Sequence, residues 1–182
     1  MSYRQLPTTS RRIGFEIETP EQVEVIDHPG AGLVKCSERR DGKTVGELEV
    51  AVFHAALVID RDGILEEKAA SAIESAREPG ARVSPAMPIA LPGASGYRAE
   101  LEVVRPAGVA KAPLPYVYVF AMAPHDLALD GGLIVTVRCA SPEWPAADEI
   151  LRSLRILSRG GKPAANDADV RSGLPLIGSR DE

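Results

Sequence analysis

The run YVYVFAMA at residues 116–123 places the strongest constraint on how this chain can fold. Its odd and even positions are both apolar, whereas a strand with one face in water alternates apolar and polar residues. A strand that is apolar on both faces has to be covered on both faces. The run therefore predicts a central strand in a sheet that carries a layer of structure on each side.

Most of the other ordered segments also have the period of a strand. Apolar residues alternate with polar ones, wholly or in part, at residues 13–18, 32–38, 45–55, 96–105 and 132–140. Residues 82–91 are interrupted by Pro85 and Pro88, which predicts an irregular or edge strand. Residues 23–26 form either a short strand or an extended connection.

A hairpin is indicated between residues 32–38 and 45–55. The connection contains Asp41-Gly42, and a glycine there reaches positive φ without steric cost. The second arm presents Leu48 and Val50 on one face and Glu47 and Glu49 on the other.

Two segments change to helical period. Residues 64–78 carry a stripe made mostly of alanine, with Asp62 as the predicted N-cap and Pro79-Gly80 as the stop. Residues 145–154 form the second predicted helix, with acidic residues early and basic residues late. The order of elements predicts an α+β fold: an α/β/α sandwich around a largely antiparallel sheet of about six or seven strands.

Length and charge bound the organisation of the chain. Its 182 residues accommodate one domain, which we assign to residues 13–157, between a flexible lead-in at 1–12 and a disordered tail at 158–182. The net charge of −5 argues against a nucleic-acid binder. The tail carries four basic and four acidic residues, so the net charge of −5 belongs to the chain before it and favours a partner of basic character that contacts a sheet face or a loop.

The compartment is inferred from absent signals. The first residues contain no apolar segment of a secretion signal, and no apolar run of 18 residues predicts a transmembrane segment. Cys36 and Cys139 are the only cysteines, and both lie in predicted strands, where we interpret them as buried thiols in a reducing compartment. These features favour a soluble cytoplasmic protein, although a chain trimmed of its leader would have the same sequence.

No pattern of residues predicts a catalytic, metal or cofactor site. The three histidines are far apart in sequence, and Glu100 and Glu102 stand beside Arg98, which favours cross-strand ion pairing on a solvated face. The glycine-rich LPGASG leads into a strand rather than a helix, so it predicts a turn and not a phosphate loop.

Two loops remain as candidate sites for a partner. Residues 106–115 (PAGVAKAPLP) carry a single charge, and residues 124–131 (PHDLALDG) place apolar residues in a turn. Because the two loops flank the central run, they are expected at opposite ends of the sheet. The candidate contact residues are Lys111, Leu114, His125, Asp126 and Leu127.

The two ends of the predicted domain resemble those of a known superfamily. The opening IGFEIETPEQVEV and the close GGLIVTVRCASPEWPAADEILRSLRIL are similar to the first strand and to the last strand, tryptophan break and amphipathic helix of PsbP-like proteins. The resemblance covers roughly residues 13–157 and rests on hydrophobic pattern and element order. It implies an α/β/α sandwich that acts without catalysis, by binding a protein partner or assisting assembly.

Three functions are therefore compared with the structure. The first is a non-enzymatic protein-interaction or assembly-accessory module of bacterial type. The second is a carrier or sensor for a small molecule or lipid, with a pocket between sheet and helix. The third is an enzyme whose catalytic residues are dispersed along the chain.

Overall fold

A computed structural model describes residues 1–5, 13–28, 32–57, 60–91, 94–105, 108–110, 112–125 and 131–158. These residues form two helices, α1 (Arg61–Ser75) and α2 (Pro145–Ser153). The strands are β1 (Ser2–Gln5), β2 (Ile13–Glu18), β3 (Val23–His28), β4 (Leu33–Arg40), β5 (Lys43–His54), β6 (Ala81–Val83), β7 (Met87–Leu91), β8 (Ala94–Val103), β9 (Tyr116–Pro124), β10 (Gly131–Cys139) and β11 (Arg155–Ser158).

The architecture is an antiparallel sheet between two layers. Eight strands form this large sheet in the order β3-β4-β5-β10-β9-β8-β6, and β7 also pairs with β8. Helix α1 packs on one face, while α2 and a three-stranded sheet, β1-β2-β11, pack on the other. The α+β sandwich predicted from the sequence is confirmed. The large sheet has more than the expected six or seven strands, because the proline-interrupted segment forms two short strands on the edge.

Strand β9 occupies the centre that its composition predicted. It is hydrogen-bonded to β8 on one side and to β10 on the other. Val117, Val119 and Ala121 point into the core under α1, whereas Tyr118 and Phe120 point into the core on the opposite face. Burial of both faces is thus the reason why the run contains no polar residue.

The β4–β5 hairpin closes at Asp41 and Gly42, as predicted, and both have positive φ. This two-residue turn pairs Arg40 with Lys43, a register that would place even-numbered residues of β4 opposite odd-numbered residues of β5. A bulge between Glu38 and Arg39 shifts the register by one residue. The shift brings the buried even-numbered residues of both strands onto one face, so the hydrophobic pattern and the turn are both satisfied.

Helix α1 begins earlier than the sequence pattern predicted. The N-cap is Asp60, whose side chain accepts a hydrogen bond from the Gly63 N–H at 2.9 Å, and Asp62 lies in the first turn instead. The prediction of Asp62 as the cap was therefore wrong, because apolar periodicity begins one turn inside this helix. The buried residues of α1 are Leu65, Ala69 and Ile73, and neither Leu65 nor Ala69 has any exposed surface.

The three-stranded sheet changes the expected limits of the ordered chain. Residues 2–5, which we had assigned to a flexible lead-in, form β1 and pair with β2. The Met1 ammonium group also donates a hydrogen bond to the Thr19 carbonyl at 2.6 Å. Strand pairing through main-chain hydrogen bonds does not require alternating apolar residues, so the sequence pattern did not indicate β1. Residues 6–12 and 159–182 lie outside the described residues, and Ser158 closes β11.

A buried tryptophan joins α2 to the β4–β5 hairpin. The indole Nε1–H of Trp144 donates to Oε2 of Glu38 at 2.7 Å, and Arg40 Nε donates to Oε1 of the same carboxylate at 2.7 Å. Glu38 is 2% exposed and Trp144 is 3% exposed. The indole ring lies directly against Gly46, leaving no room for a Cβ atom there. This contact fixes the start of α2 on the sheet.

Candidate functional site

Helix α1 covers only part of its face of the large sheet. It packs chiefly over β8 and β9 and reaches only the near side of β10. On the same face, side chains of β3, β4 and β5 are exposed, among them Glu24, Lys35, Arg39 and Glu47. The apolar residue Ile26 is 46% exposed there. The sheet therefore continues past the helix as an open floor.

This floor and the side of α1 form a groove with a volume of about 770 Å³. We call it the α1 groove. Its floor is built from Glu24, Ile26, Lys35, Ser37, Arg39, Glu47, Glu49, Ala51, Ile134, Thr136 and Arg138, and its wall from Ala72, Ser75 and Ala76.

The sheet register explains why the floor is polar. Reading across the strands from β3 to β10, one row is Glu24, Ser37, Glu47 and Arg138. On β9 and β8 the same row continues as buried Val117 and Leu101. The next row is Ile26, Lys35, Glu49 and Thr136, and it continues as buried Val119 and Ala99. Each row thus changes from polar to apolar at the point where α1 begins to cover it.

The charges of the α1 groove balance. Three acidic side chains, Glu24, Glu47 and Glu49, stand among three basic ones, Lys35, Arg39 and Arg138. Lys35 Nζ lies 3.2 Å from Glu49 Oε2, and both side chains are about half exposed. Within the described part of the chain, the other four charged residues make no ion pair. The net acidic charge of the chain is consequently not concentrated on this face.

The two cysteines lie in the core beneath the floor, on the opposite face of the large sheet. Cys36 belongs to β4 and Cys139 to β10, and β5 runs between these strands. Two strand spacings and an offset of two residues along the strands separate their backbones by about 12 Å. This exceeds the separation of roughly 7 Å beyond which two cysteines cannot be bridged. Both thiols are free.

Burial raises the pKa of both cysteine thiols to about 12. We therefore expect iodoacetamide to label neither Cys36 nor Cys139 of the folded protein at pH 8, and to label both after unfolding in urea, with mass spectrometry as the readout. Since the folded-state pKa lies above the ordinary value of 9, the thiols stabilise the fold fully below pH 9, and this contribution is lost as pH rises from 9 to about 12. Rapid labelling of either thiol in the folded protein would contradict the assignment.

The candidate contact residues predicted from the sequence do not line the α1 groove. Leu114 is half-buried in the segment before β9. His125 is exposed directly after β9, and its carbonyl accepts a hydrogen bond from Arg61 Nη2 at 3.1 Å. These two positions lie at opposite ends of β9, as expected. Lys111, Asp126 and Leu127 fall outside the described residues, so their roles stay predictions.

Of the residues that form the floor, the sequence pattern singled out only Glu47 and Glu49, as one face of the predicted hairpin. Lys35, Ser37 and Arg39 alternate with buried residues on β4, and Glu47 and Glu49 do so on β5. This alternation signals one polar face on each strand. It does not show that four such strands stand side by side, because the pairing of β10 with β5 joins segments about 85 residues apart.

Other polar groups in the described residues are used structurally. Arg98 Nη2 pairs with Glu100 Oε1 at 2.6 Å, and the guanidinium lies over the rings of Tyr118 and Phe120. Ion pairing beside Arg98 was predicted across strands on a solvated face for both Glu100 and Glu102. The observed pair involves Glu100 alone, lies within β8, and includes an Arg98 side chain that is only 12% exposed. Across the described ranges, no group of three or more His, Cys, Asp or Glu side chains is arranged to hold a metal ion.

Neither of the two described helices is both long enough and apolar enough to cross a bilayer.

Comparison with known proteins gives little beyond this geometry. No family model matches the chain, and no curated protein sequence matches it. A crystal structure of a protein from Bacteroides thetaiotaomicron VPI-5482 is similar, with a TM-score of 0.48 and 10% sequence identity over 82% of this chain. The chain spans half the length of that protein. A likeness of this degree assigns neither a family nor an activity.

Proposed function

We propose that this chain is a non-enzymatic protein-binding module, of the assembly-accessory kind found in bacteria, and that it binds its partner in the α1 groove. The observation that carries the proposal is the open floor itself. Four charged side chains that lack an ion pair within the described residues stand on it, and Ile26 is exposed on its outermost strand, β3. In protein interfaces, charged groups beside apolar surface set specificity and register.

The charge balance of the α1 groove defines the partner surface. A partner that matches it carries both signs of charge beside an apolar contact for Ile26, rather than the purely basic surface that the net charge of the chain suggested. Membership of the PsbP-like superfamily remains part of the proposal, supported by the sandwich and by the succession of β10, Trp144 and α2 at its end. Two free cysteines fit a reducing compartment such as the cytoplasm.

A substitution in the centre of the floor tests this function. Ser37→Arg introduces a long cationic side chain between β3 and β5, where it blocks close approach of another protein. We expect it to weaken binding of the purified partner about tenfold or more, which corresponds to ~1.4 kcal/mol. The readout is a calorimetric titration with the partner recovered from native cells and then produced in pure form.

Glu67→Arg is the matched control, because Glu67 is exposed on α1 and does not line the α1 groove. It introduces the same side chain away from the floor, so its affinity should equal that of the unmodified protein. Equal affinity of the Ser37→Arg and Glu67→Arg variants, both with unchanged melting temperature, would refute the groove as the docking surface.

The second candidate function is a carrier or sensor for a small molecule. The volume of the α1 groove falls within the range of about 300–1,000 Å³ that ligand pockets occupy. Such pockets are mostly apolar and enclosed, whereas this groove is open and has six charged residues in its lining. A thermal-shift screen against metabolites and fatty acids separates the two functions: a saturable rise in melting temperature that Ser37→Arg abolishes would establish the carrier.

A further inference from the structure

The charges on the floor of the α1 groove are arranged so that the floor can complement a second copy of itself. We propose that the groove's partner is a second copy of this chain, packed floor to floor about a two-fold axis that runs along the strands between β4 and β5. This inference rests on the proposed function, since it names the partner for the same surface. It is carried by the order of charges across β3, β4, β5 and β10.

The sheet register gives the contacts that this axis would make. It exchanges β3 with β10 and β4 with β5, so each residue faces its counterpart in the same row. Glu24 then faces the second copy's Arg138, and Lys35 faces the second copy's Glu49. Each contact occurs twice, which gives four pairs of opposite charge. In an interface with two-fold symmetry the same patch must complement itself in this way.

Other arrangements of two floors bring like charges together. An axis that runs across the strands, midway between the two rows, sets Glu47 against the second copy's Glu49. An axis that coincides with the second row sets Lys35 against Lys35 and Glu49 against Glu49. Because opposed like charges cost free energy in an interface, the row pattern selects the axis along the strands.

The shape of the open face also suits a second copy. The floor is four strands wide, from β10 beside α1 to β3, which is the outermost strand among the described residues. Two packed sheets lie about 10 Å apart, and a helix with its side chains is about 10 Å thick. Helix α1 of each copy would therefore stand beside the β3 edge of the other. That placement covers β3, whose outer main-chain groups pair with no other described strand and would otherwise be open to other chains.

The area sets the expected strength. Four strands and about six residues along each strand cover roughly 400 Å². A standard interface buries about 800 Å² per partner, so contacts between α1 and the β3 edge would have to supply much of the remainder. We accordingly expect a reversible dimer that dissociates on dilution and that weakens as salt concentration rises.

Charge reversal tests the axis. Sedimentation velocity of the full chain over a series of concentrations up to about 1 mM measures the dissociation constant. In the dimer, Glu24→Arg places a positive charge opposite Arg138 of the second copy, and the two-fold axis repeats this contact. We expect the substitution to weaken the dimer about tenfold or more. Arg138→Glu should do the same. The double variant Glu24→Arg/Arg138→Glu restores both opposite-charge pairs and should return the dissociation constant to within about threefold of the original.

The outcomes distinguish this inference from the proposed function. A monomer at every concentration, or a dimer that ignores the single reversals while the Glu67→Arg control behaves normally, would overturn the two-fold dimer. If a different protein then binds and Ser37→Arg weakens that binding, the proposed function stands and only the second copy is wrong. If neither a second copy nor any other protein binds the floor, the two-fold dimer and the proposed function are both overturned.

Discussion

Trp144→Ala is expected to lower the free energy of unfolding by about 5 kcal/mol. Removing a buried aromatic side chain costs about 3–5 kcal/mol. The substitution also leaves the buried Glu38 carboxylate without the indole donor, which adds roughly 1–3 kcal/mol. Because small domains are stable by only about 5–15 kcal/mol, this loss removes roughly a third or more of the free energy of unfolding. Urea denaturation followed by far-UV circular dichroism measures the change.

Trp144→Phe separates the hydrogen bond from the packing. The variant keeps an aromatic ring in the core but cannot donate to Glu38, so we expect a loss of about 1–3 kcal/mol. In the Trp144→Phe background only Oε2 of Glu38 has lost its donor, since Arg40 still donates to Oε1; Glu38→Gln removes the buried charge, leaves an amide oxygen that can accept from Arg40, and should recover part of this loss. A Trp144→Phe variant as stable as the unmodified protein would show that the indole–carboxylate bond contributes nothing.

Gly46→Ala is expected to destabilise the fold by about 3 kcal/mol, although it adds one methyl group. A Cβ atom at this position would overlap Cδ2, Cε2 and Cε3 of Trp144, whose ring is confined by the surrounding core. Overpacking of this kind costs about 1–3 kcal/mol. Since the damage acts through the ring, Gly46→Ala should cost much less in a Trp144→Ala background than alone. The same urea series measures both values.

Gly42→Ala provides the matched control in the same hairpin. A Cβ at Gly42 meets no atom within 4 Å, but the residue has φ of +73°, so the expected cost of about 1 kcal/mol arises in the backbone alone. That cost should be the same whether or not Trp144 is present. If Gly46→Ala and Gly42→Ala each cost the same free energy with and without Trp144, the steric role of the ring would be contradicted.

Local patterns were sufficient for much of the sandwich. The central position of β9 followed from a run that is apolar on both faces, and the β4–β5 hairpin from Asp41-Gly42 between alternating segments. The helices were predicted from apolar period, with α2 correct to within one residue at its end, whereas α1 begins and ends three residues earlier than predicted. In each case the residues that report the element are also the residues that form it.

The errors have a common physical origin. Strand β1 is held by main-chain hydrogen bonds to β2 and by the Met1 ammonium group, and these groups are the same in every sequence. The capping role of Asp60 rather than Asp62 depends on one hydrogen bond to Gly63. Neither contact leaves a mark in the hydrophobic pattern, which is the only long-range information in a single sequence.

The amino-acid sequence by itself determined the layers of this protein, because the faces of strands and helices are set by the period of their apolar residues. Only the tertiary structure decided which faces meet. The alternating Lys35, Ser37, Glu47 and Glu49 indicate one solvated face each for β4 and β5. These faces form the α1 groove because β5 pairs with β10, which lies much later in the chain, and because α1 packs no farther across the sheet than β10. Such pairings depend on the free energy of the whole assembled core, which no local segment carries.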